Sequence, residues 1–154
     1  MTRGPIDLHT HSSVSDGTET PTQLIRAAVE AGLDTVAITD HDSTAGWDEA
    51  LTAAAGTGLQ VIRGIELSTR HEWRSVHLLG YLFDPHDPVI LRETARTRDD
   101  RLTRAERMVA RLAEDFDITW DDVLAQSGGT TIGRPHIADA LVARGVVPTR
   151  SAAF

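Results

Sequence analysis

Short apolar runs alternate with helix-like segments in the first half of the chain. The runs are rich in β-branched residues and predict strands, whereas the segments between them carry apolar residues three and four positions apart and predict helices. The strands are predicted at 6–11, 35–39, 59–62 and 76–83, and the helices at 20–31 and 45–55. The order strand, helix, strand, helix, strand predicts the α/β class, with a parallel sheet or barrel built from βα units.

The first of these helices has the clearest boundaries. Thr20 can cap it, Pro21 suits the first helical position, and Gln23 can complete a capping box. Gly32 provides a natural end. The apolar stripe of this helix is predicted to consist of Leu24, Ala27, Ala28 and Ala31.

The second half of the chain has a purely helical pattern. A long segment at 89–116 places apolar residues on one side and charged residues on the other, and shorter helices are predicted at 120–126 and 136–144. We therefore expect two parts, with residues 1–86 forming an α/β base and residues 87–154 forming a helical insertion or cap. The stripe of the long helix is predicted to consist of Leu102, Ala105, Val109, Leu112 and Phe116.

Composition excludes several classes of chemistry. The 154 residues include no cysteine, which excludes disulfides, thiolate metal sites and thiol catalysis. All 15 basic residues are arginine, so lysine Schiff-base chemistry cannot occur. The net charge of −8 argues against stable binding of duplex nucleic acid. A polar N-terminus and the absence of any long apolar stretch predict a cytoplasmic protein without a membrane span.

Histidines close the first predicted strand. In βα folds the chemistry lies at the carboxyl ends of the strands, where His9 and His11 are placed. Residues two apart on a strand point the same way, so these two imidazoles could chelate one metal ion. Two strand-end histidines without a metal would give the same pattern.

A cluster of acids and a histidine follows the second strand. We interpret His41 as a metal ligand, and Asp40 could orient its imidazole. Asp42 is expected to belong to an acid-rich helix N-terminus, which Asp42 or Ser43 caps.

Further candidates lie near the later strands. Glu66 ends the third strand, where a carboxylate can bridge two cations, and His77 is either a ligand or a core histidine. Asp16 is either a ligand or a turn residue before glycine. His71 and His86 are expected to be solvated. Oxygen and imidazole ligands without thiolate suit Mn²⁺, Fe²⁺, Zn²⁺ or Mg²⁺. The six ligand candidates are His9, His11, Asp16, His41, Glu66 and His77.

Four segments resemble, in order, the motifs of the PHP (polymerase and histidinol phosphatase) superfamily. They are DLHTHSSVSDG at 7–17, AITDHD at 37–42, GIELS at 64–68 and HLLGY at 77–81. A fifth segment, GRPHIA at 133–138, resembles part of the stand-alone PHP phosphoesterases that act on nucleoside 3′,5′-bisphosphates and short RNA 5′ ends.

This resemblance implies a distorted (β/α)7 barrel, of which the chain would form the N-terminal part, with a helical insertion over the mouth. It also implies a centre of up to three divalent metal ions, with manganese among the candidates. The implied catalytic residues are Asp40 and His41. The implied ligand sets are His9, His11 and Glu66 for one ion, Glu66 and His77 for a second, and Asp16 and His41 for a third.

The resemblance further implies that Arg134 and His136 bind substrate phosphate. The alternatives are a surface salt bridge for Arg134 and a first-turn helix residue for His136. Members of the superfamily are nearly twice as long and supply further ligands from later strands. We expect the remaining half of the barrel to come from the rest of a longer chain or from another chain.

The expected function is hydrolysis of a small phosphorylated substrate, a nucleotide phosphomonoester, by metal-activated water. Two alternatives stay open. One is a monophosphatase similar to histidinol phosphatase. The other is a non-catalytic metal-binding module, as PHP domains attached to polymerases can be.

Overall fold

The computed structural model describes residues 4–128 and 132–154, so the first three residues of the polar N-terminus lie outside the described part. The chain forms two compact units, residues 1–95 and 96–154. No helix within the described ranges is long and apolar enough to cross a membrane. The elements are β1 (Ile6–Thr10), α1 (Pro21–Glu30), β2 (Thr35–Ile38), α2 (Trp47–Ala54), β3 (Gln60–His71), β4 (Arg74–Tyr81), α3 (Pro88–Leu112), α4 (Trp120–Ser127), α5 (Arg134–Ala143) and a 3₁₀ turn (Arg150–Ala153).

The first unit is built on a four-stranded sheet in the order β1-β2-β3-β4. Strands β1, β2 and β3 are parallel, which confirms the α/β class. Strand β4 is antiparallel to β3, and only Glu72 and Trp73 separate the paired residues. A parallel neighbour would need a crossover of a dozen or more residues, so the parallel pairing predicted for the first three strands does not extend to β4. Glu66 and His77 consequently lie inside their strands rather than at strand ends.

The sheet is strongly curled. The hydroxyl of Tyr81 on β4 donates a hydrogen bond of 2.7 Å to the carbonyl oxygen of Leu8 on β1. In a flat sheet these strands would be three spacings apart, about 14 Å, which exceeds the reach of a tyrosine side chain. The contact therefore requires a curled four-stranded sheet, as in part of a barrel.

Helices α1 and α2 cover the buried strand β2. The predicted capping box is confirmed, because Thr20 and Gln23 each accept a hydrogen bond from the other's backbone N–H. The predicted stripe is partly wrong, since Ile25 is fully buried while Ala27 and Ala31 are exposed. Burying isoleucine stabilises more than burying alanine, which turns the helix toward Ile25. The core of this unit consists of Ile25, Ala28, Val36, Ile38, Trp47, Ala50, Ala54 and Leu59.

The described part of the second unit is helical. Helix α3 ends at Leu112, and Ala105 and Val109 on it are buried as predicted. Leu102 and Phe116 are 41% and 46% exposed, so the predicted stripe is wrong at both of its ends. Phe116 lies beyond the end of the helix, where helical periodicity no longer applies. The core of this unit consists of Ala105, Val109, Ile118, Val123, Ile132, Ile137, Ala140 and Leu141.

Candidate metal centre

The histidine pair of the first motif converges on one carboxylate. Strand β1 ends at Thr10, and its register shifts between Asp7 and Thr10. The Nε2 atoms of His9 and His11 nevertheless lie 3.1 Å apart. They approach Oε2 of Glu66 at 2.7 and 2.8 Å.

Backbone pairing beyond the end of β2 brings His41 next to Glu66. Glu66 N–H donates to the carbonyl of Asp40 at 3.2 Å, and Asp42 N–H donates to the carbonyl of Glu66 at 3.0 Å. His41 and Glu66 thereby form an isolated parallel bridge. Nδ1 of His41 lies 3.9 Å from Oε1 of Glu66.

The loop after β1 carries Asp16 back toward the same imidazoles. Its two carboxylate oxygens lie 3.5 Å from Nδ1 of His11 and 3.7 Å from Nε2 of His41. Gly17 permits this return, because a Cβ there would lie 2.4 Å from the carbonyl oxygen of His11. A side chain at residue 17 would therefore push the loop away from the strand.

His77 reaches the cluster from β4. Its Nδ1 contacts Oε1 of Glu66. The side chain is 44% exposed, so the alternative of a core histidine is wrong. The imidazoles form a row in which successive ring centres, from His9 through His11 and His41 to His77, lie 5.1, 4.8 and 5.0 Å apart.

The donor atoms fall into three overlapping groups, each with its atoms within 4.8 Å of one another. Ligand atoms about 2.1 Å from a tetrahedral ion lie about 3.4 Å from each other. The distances between donor atoms given above range from 2.7 to 3.9 Å, which includes this spacing. Imidazole nitrogen and carboxylate oxygen also suit divalent ions, so the donor set fits such ions. The groups are His9, His11 and Glu66; His11, Asp16 and His41; and His41, Glu66 and His77.

The buried carboxylate of Glu66 is favourable for cations. Burial alone would raise its pKa, but the hydrogen bond from His9, the charge of His41 and the hydrogen bond from His77 together lower the pKa below its usual value. Glu66 is only 3% exposed and faces a row of imidazoles. The residue is therefore held as an anion at the centre of the cluster.

Asp40, which is buried and precedes His41, ties the loop after β1 to the end of β2. Its carboxylate accepts hydrogen bonds from Ser12 N–H and Ser12 Oγ, both 2.7 Å, and from Ser15 Oγ at 2.8 Å. Burial raises its pKa, and these hydrogen bonds only partly offset that effect. The sequence interpretation missed both serines, although hydroxyl residues one and four positions after His11 are suited to bind a buried acid.

Asp42 does not cap helix α2, contrary to expectation. Its backbone is left-handed, with φ of 51°, and its Oδ1 accepts a hydrogen bond of 2.8 Å from Ser68 N–H. Helix α2 instead begins at Trp47 after Gly46. Because both the N–H and the carboxylate of Asp42 bond to β3, the chain cannot begin a helix there.

Arg134 and His136 lie at the start of α5 in the second unit. Nδ1 of the buried His136 accepts a hydrogen bond of 3.0 Å from Gly133 N–H, which caps the helix. The guanidinium of Arg134 lies 5.9 Å from the ring centre of Phe154. His136 thus has the helix-start role that was its alternative, while phosphate binding by either residue stays a prediction. His71 and His86 are exposed, as expected.

Comparison with known proteins assigns the family. The PHP domain matches residues 7–118. A 3′,5′-nucleoside bisphosphate phosphatase from Chromobacterium violaceum is 37% identical over 97% of this chain and 53% of its own length. A 5′-3′ exoribonuclease from Haemophilus influenzae is 35% identical over 96% of this chain and 54% of its own.

Among solved structures, a presumed metal-dependent phosphoesterase from Bifidobacterium adolescentis superimposes with a TM-score of 0.92. It is 53% identical and covers 99% of this chain, which in turn covers 55% of that protein. The chain therefore spans about half the length of the relatives that it matches. On the match to more than half of its residues, the chain belongs to the PHP domain family.

Proposed function

We propose that this chain provides the metal centre of a phosphoesterase that hydrolyses nucleotide phosphomonoesters, either nucleoside 3′,5′-bisphosphates or the 5′ ends of short RNA. The observation that carries the proposal is the buried Glu66 carboxylate, which faces imidazoles from β1, β4 and the end of β2. The activities named for the bisphosphate phosphatase and the exoribonuclease above support the choice of substrate. The proposed cofactors are up to three divalent ions, Mn²⁺, Fe²⁺, Zn²⁺ or Mg²⁺.

The three donor groups cannot all be complete at once. His11 faces Glu66 through Nε2 and Asp16 through Nδ1, and His41 faces Asp16 through Nε2 and Glu66 through Nδ1. A neutral imidazole has only one nitrogen lone pair to offer. Each of these two histidines therefore completes one group and leaves the other short. At most two ions can therefore receive three ligands each from the six side chains. Water, substrate or further residues would fill the remaining coordination positions.

Divalent ions bound here would neutralise phosphate charge and activate water for attack on phosphorus. The residues of the chain have distinct proposed roles around them. Glu66 and the histidines fix the ligand geometry, and Asp40 holds the loop that carries Asp16 through Ser12 and Ser15. We assign Asp40 to positioning rather than to contact with substrate.

The second unit, by its resemblance to the stand-alone phosphoesterases, is proposed to supply substrate contacts as a helical cap. The planar guanidinium of Arg134 is suited to grip a phosphate that is not being cleaved, through two parallel hydrogen bonds. His136, which is buried at the start of α5, is proposed as a second phosphate contact. The remaining strands of a barrel would come from sequence beyond these residues or from another chain.

A phosphate-release assay with Mn²⁺ tests the proposal on the protein expressed from its complete gene. We expect turnover of adenosine 3′,5′-bisphosphate and none of histidinol phosphate. The variants His9→Ala and Glu66→Ala should lose nearly all activity while staying folded. The exposed His71, outside the cluster, supplies the matched control His71→Ala, which should keep full activity.

The other outcomes identify the alternatives. Turnover of histidinol phosphate with none of the bisphosphate would favour the monophosphatase. Metal binding without turnover of any phosphoester would favour the non-catalytic module. Full activity and full metal content in Glu66→Ala would contradict the proposed centre itself.

A further inference from the structure

Strand β1 contains a bulge at Leu8 and His9, and His9 is the first histidine of the cluster. Asp7 pairs with Val36 and Thr10 pairs with Ile38, so β1 has one residue more than β2 between the two pairs. Bulges of this kind re-aim side chains and remove local backbone groups from the ladder of hydrogen bonds. They also leave those backbone groups in need of other partners.

Two side chains supply partners to the bulge. Oδ1 of Asp7 accepts a hydrogen bond of 3.0 Å from His9 N–H, and Tyr81 Oη donates one of 2.7 Å to the carbonyl of Leu8. The bonded N–H and C=O belong to the same peptide group, between Leu8 and His9. Side chains therefore contact that peptide at both its N–H and its C=O.

The strand is anchored again immediately after the bulge. The carbonyl of Thr10 accepts hydrogen bonds from Thr39 N–H and Thr39 Oγ1, both 2.9 Å. Thr10 Oγ1 donates to the carbonyl of Ala37 at 2.7 Å. Strand β1 is therefore fixed to β2 directly after the bulge, and the two side-chain contacts act on the bulge itself.

The path of the Tyr81 side chain depends on a glycine. Tyr81 pairs with Gly64 in the β3–β4 register, and a Cβ on Gly64 would lie 2.9 Å from Cδ1 of Tyr81. The missing side chain leaves room for the ring to pass over β3 toward β1. Trp47 Nε1 donates to the carbonyl of Gly64 at 2.9 Å and fixes the backbone there.

We propose that Asp7 and Tyr81 are positioning residues that hold the Leu8–His9 peptide so that His9 and His11 face one carboxylate oxygen of Glu66. The inference rests on the proposed function, because it assigns the two histidines to a metal ion. Neither positioning residue belongs to the three donor groups. Side chains that orient metal ligands in this way typically contribute about tenfold to a hundredfold in metal affinity.

Tyr81→Phe removes the hydroxyl and keeps the ring, so it isolates the contact with Leu8. We expect Mn²⁺ to bind this variant about tenfold more weakly in isothermal titration calorimetry. The matched control is Thr52→Val, which removes another 2.7 Å hydroxyl-to-carbonyl hydrogen bond, from Thr52 to Asp48 within α2, away from the bulge and from the six ligand candidates. The control should bind Mn²⁺ as the unaltered protein does.

Asp7 provides the second arm. Asp7→Ala should weaken Mn²⁺ binding by a similar factor, whereas Asp7→Asn keeps an acceptor oxygen and should restore most of the affinity. In the metal-free protein, His9 N–H should exchange with solvent faster in Asp7→Ala than in Asp7→Asn, which is measured by amide hydrogen exchange. That readout does not depend on metal.

The outcomes separate this inference from the proposed function. If the unaltered protein does not bind Mn²⁺, the proposed function is wrong and the inference is lost with it. If it binds Mn²⁺ and Tyr81→Phe binds as tightly as Thr52→Val, the inference alone is overturned. Equal exchange rates of His9 N–H in Asp7→Ala and Asp7→Asn would likewise overturn the inference. This comparison remains possible if one of the variants is too unstable for calorimetry, because exchange can be measured on its folded fraction.

Discussion

Replacing Asp40 with alanine removes the acceptor for three hydrogen-bond donors in the loop after β1. The donors are Ser12 N–H, Ser12 Oγ and Ser15 Oγ, at 2.7 to 2.8 Å from the carboxylate. Ser12 is fully buried, and Ser15 and Asp40 are each 2% exposed, so water cannot easily replace the lost acceptor. The substitution therefore tests whether Asp40 organises this loop.

The expected magnitude follows from the number of donors and the cost of the buried charge. Each buried donor left without a partner costs about 1 to 3 kcal/mol. Part of this loss is offset, because the substitution also removes a carboxylate whose burial is unfavourable, as its raised pKa indicates. We expect Asp40→Ala to lower the free energy of unfolding by about 3 to 5 kcal/mol. Asp40→Asn keeps one acceptor oxygen and should lower it by only about 1 to 2 kcal/mol.

The assay is urea unfolding of the metal-free proteins, with EDTA present.

The pH dependence of stability supplies an independent check with a definite sign. Because burial raises the pKa of Asp40, the folded protein holds this proton more tightly than the unfolded chain. The contribution of Asp40 to stability is therefore highest in acid and is lost as pH rises from about 4 through the raised pKa. Asparagine does not titrate, so the stability of Asp40→Asn relative to the unaltered protein should increase as pH rises across that range.

Two results would refute this reasoning. If Asp40→Ala lost less than about 1 kcal/mol, the three hydrogen bonds would not organise the loop. If alanine and asparagine had equal effects, the acceptor oxygen would not be what matters.

Three further predictions concern the centre and the second unit. Glu66→Gln should stay folded but lose more than about a hundredfold in Mn²⁺ affinity, because Glu66 belongs to two of the three donor groups; calorimetry beside circular dichroism checks both parts. Gly17→Ala should lower stability by about 2 to 3 kcal/mol in urea unfolding, because its Cβ would lie 2.4 Å from the carbonyl oxygen of His11, and an unchanged midpoint would contradict the tight turn. Arg134→Ala should reduce kcat/KM for a nucleoside bisphosphate more than for a monophosphate, and equal losses would indicate a structural arginine.

The sequence predicts the elements whose cause is local. Short apolar runs locate β1, β2 and the start of β3, and the capping box at Thr20 locates the start of α1. The proximity of His9, His11 and His41 also follows from the sequence, because parallel strands bring their carboxyl ends to one edge. Glu66 lies inside β3, where its backbone pairs with that of His41 beyond the end of β2. His77 reaches Glu66 from β4, the antiparallel partner of β3, which the rule does not describe.

The features that the sequence did not predict depend on contacts between distant residues. Asp42 resembles a helix cap locally, but its backbone and carboxylate bond to β3, more than twenty residues away. The bulge in β1 was not predicted either, and one of its two side-chain contacts comes from Tyr81, 73 residues away in the sequence. Pairing partners, and with them the direction of β4, become visible only once the sheet has formed.

The most direct test of the central claim is anomalous X-ray diffraction at the manganese edge, from crystals of this protein grown with Mn²⁺. We expect a strong anomalous peak between Nε2 of His9, Nε2 of His11 and the carboxylate of Glu66. We expect further peaks at the two other donor groups, with lower occupancy at a group whose shared imidazole binds the ion of the neighbouring group. Data with manganese signal elsewhere and none at these six side chains would contradict the proposed metal centre.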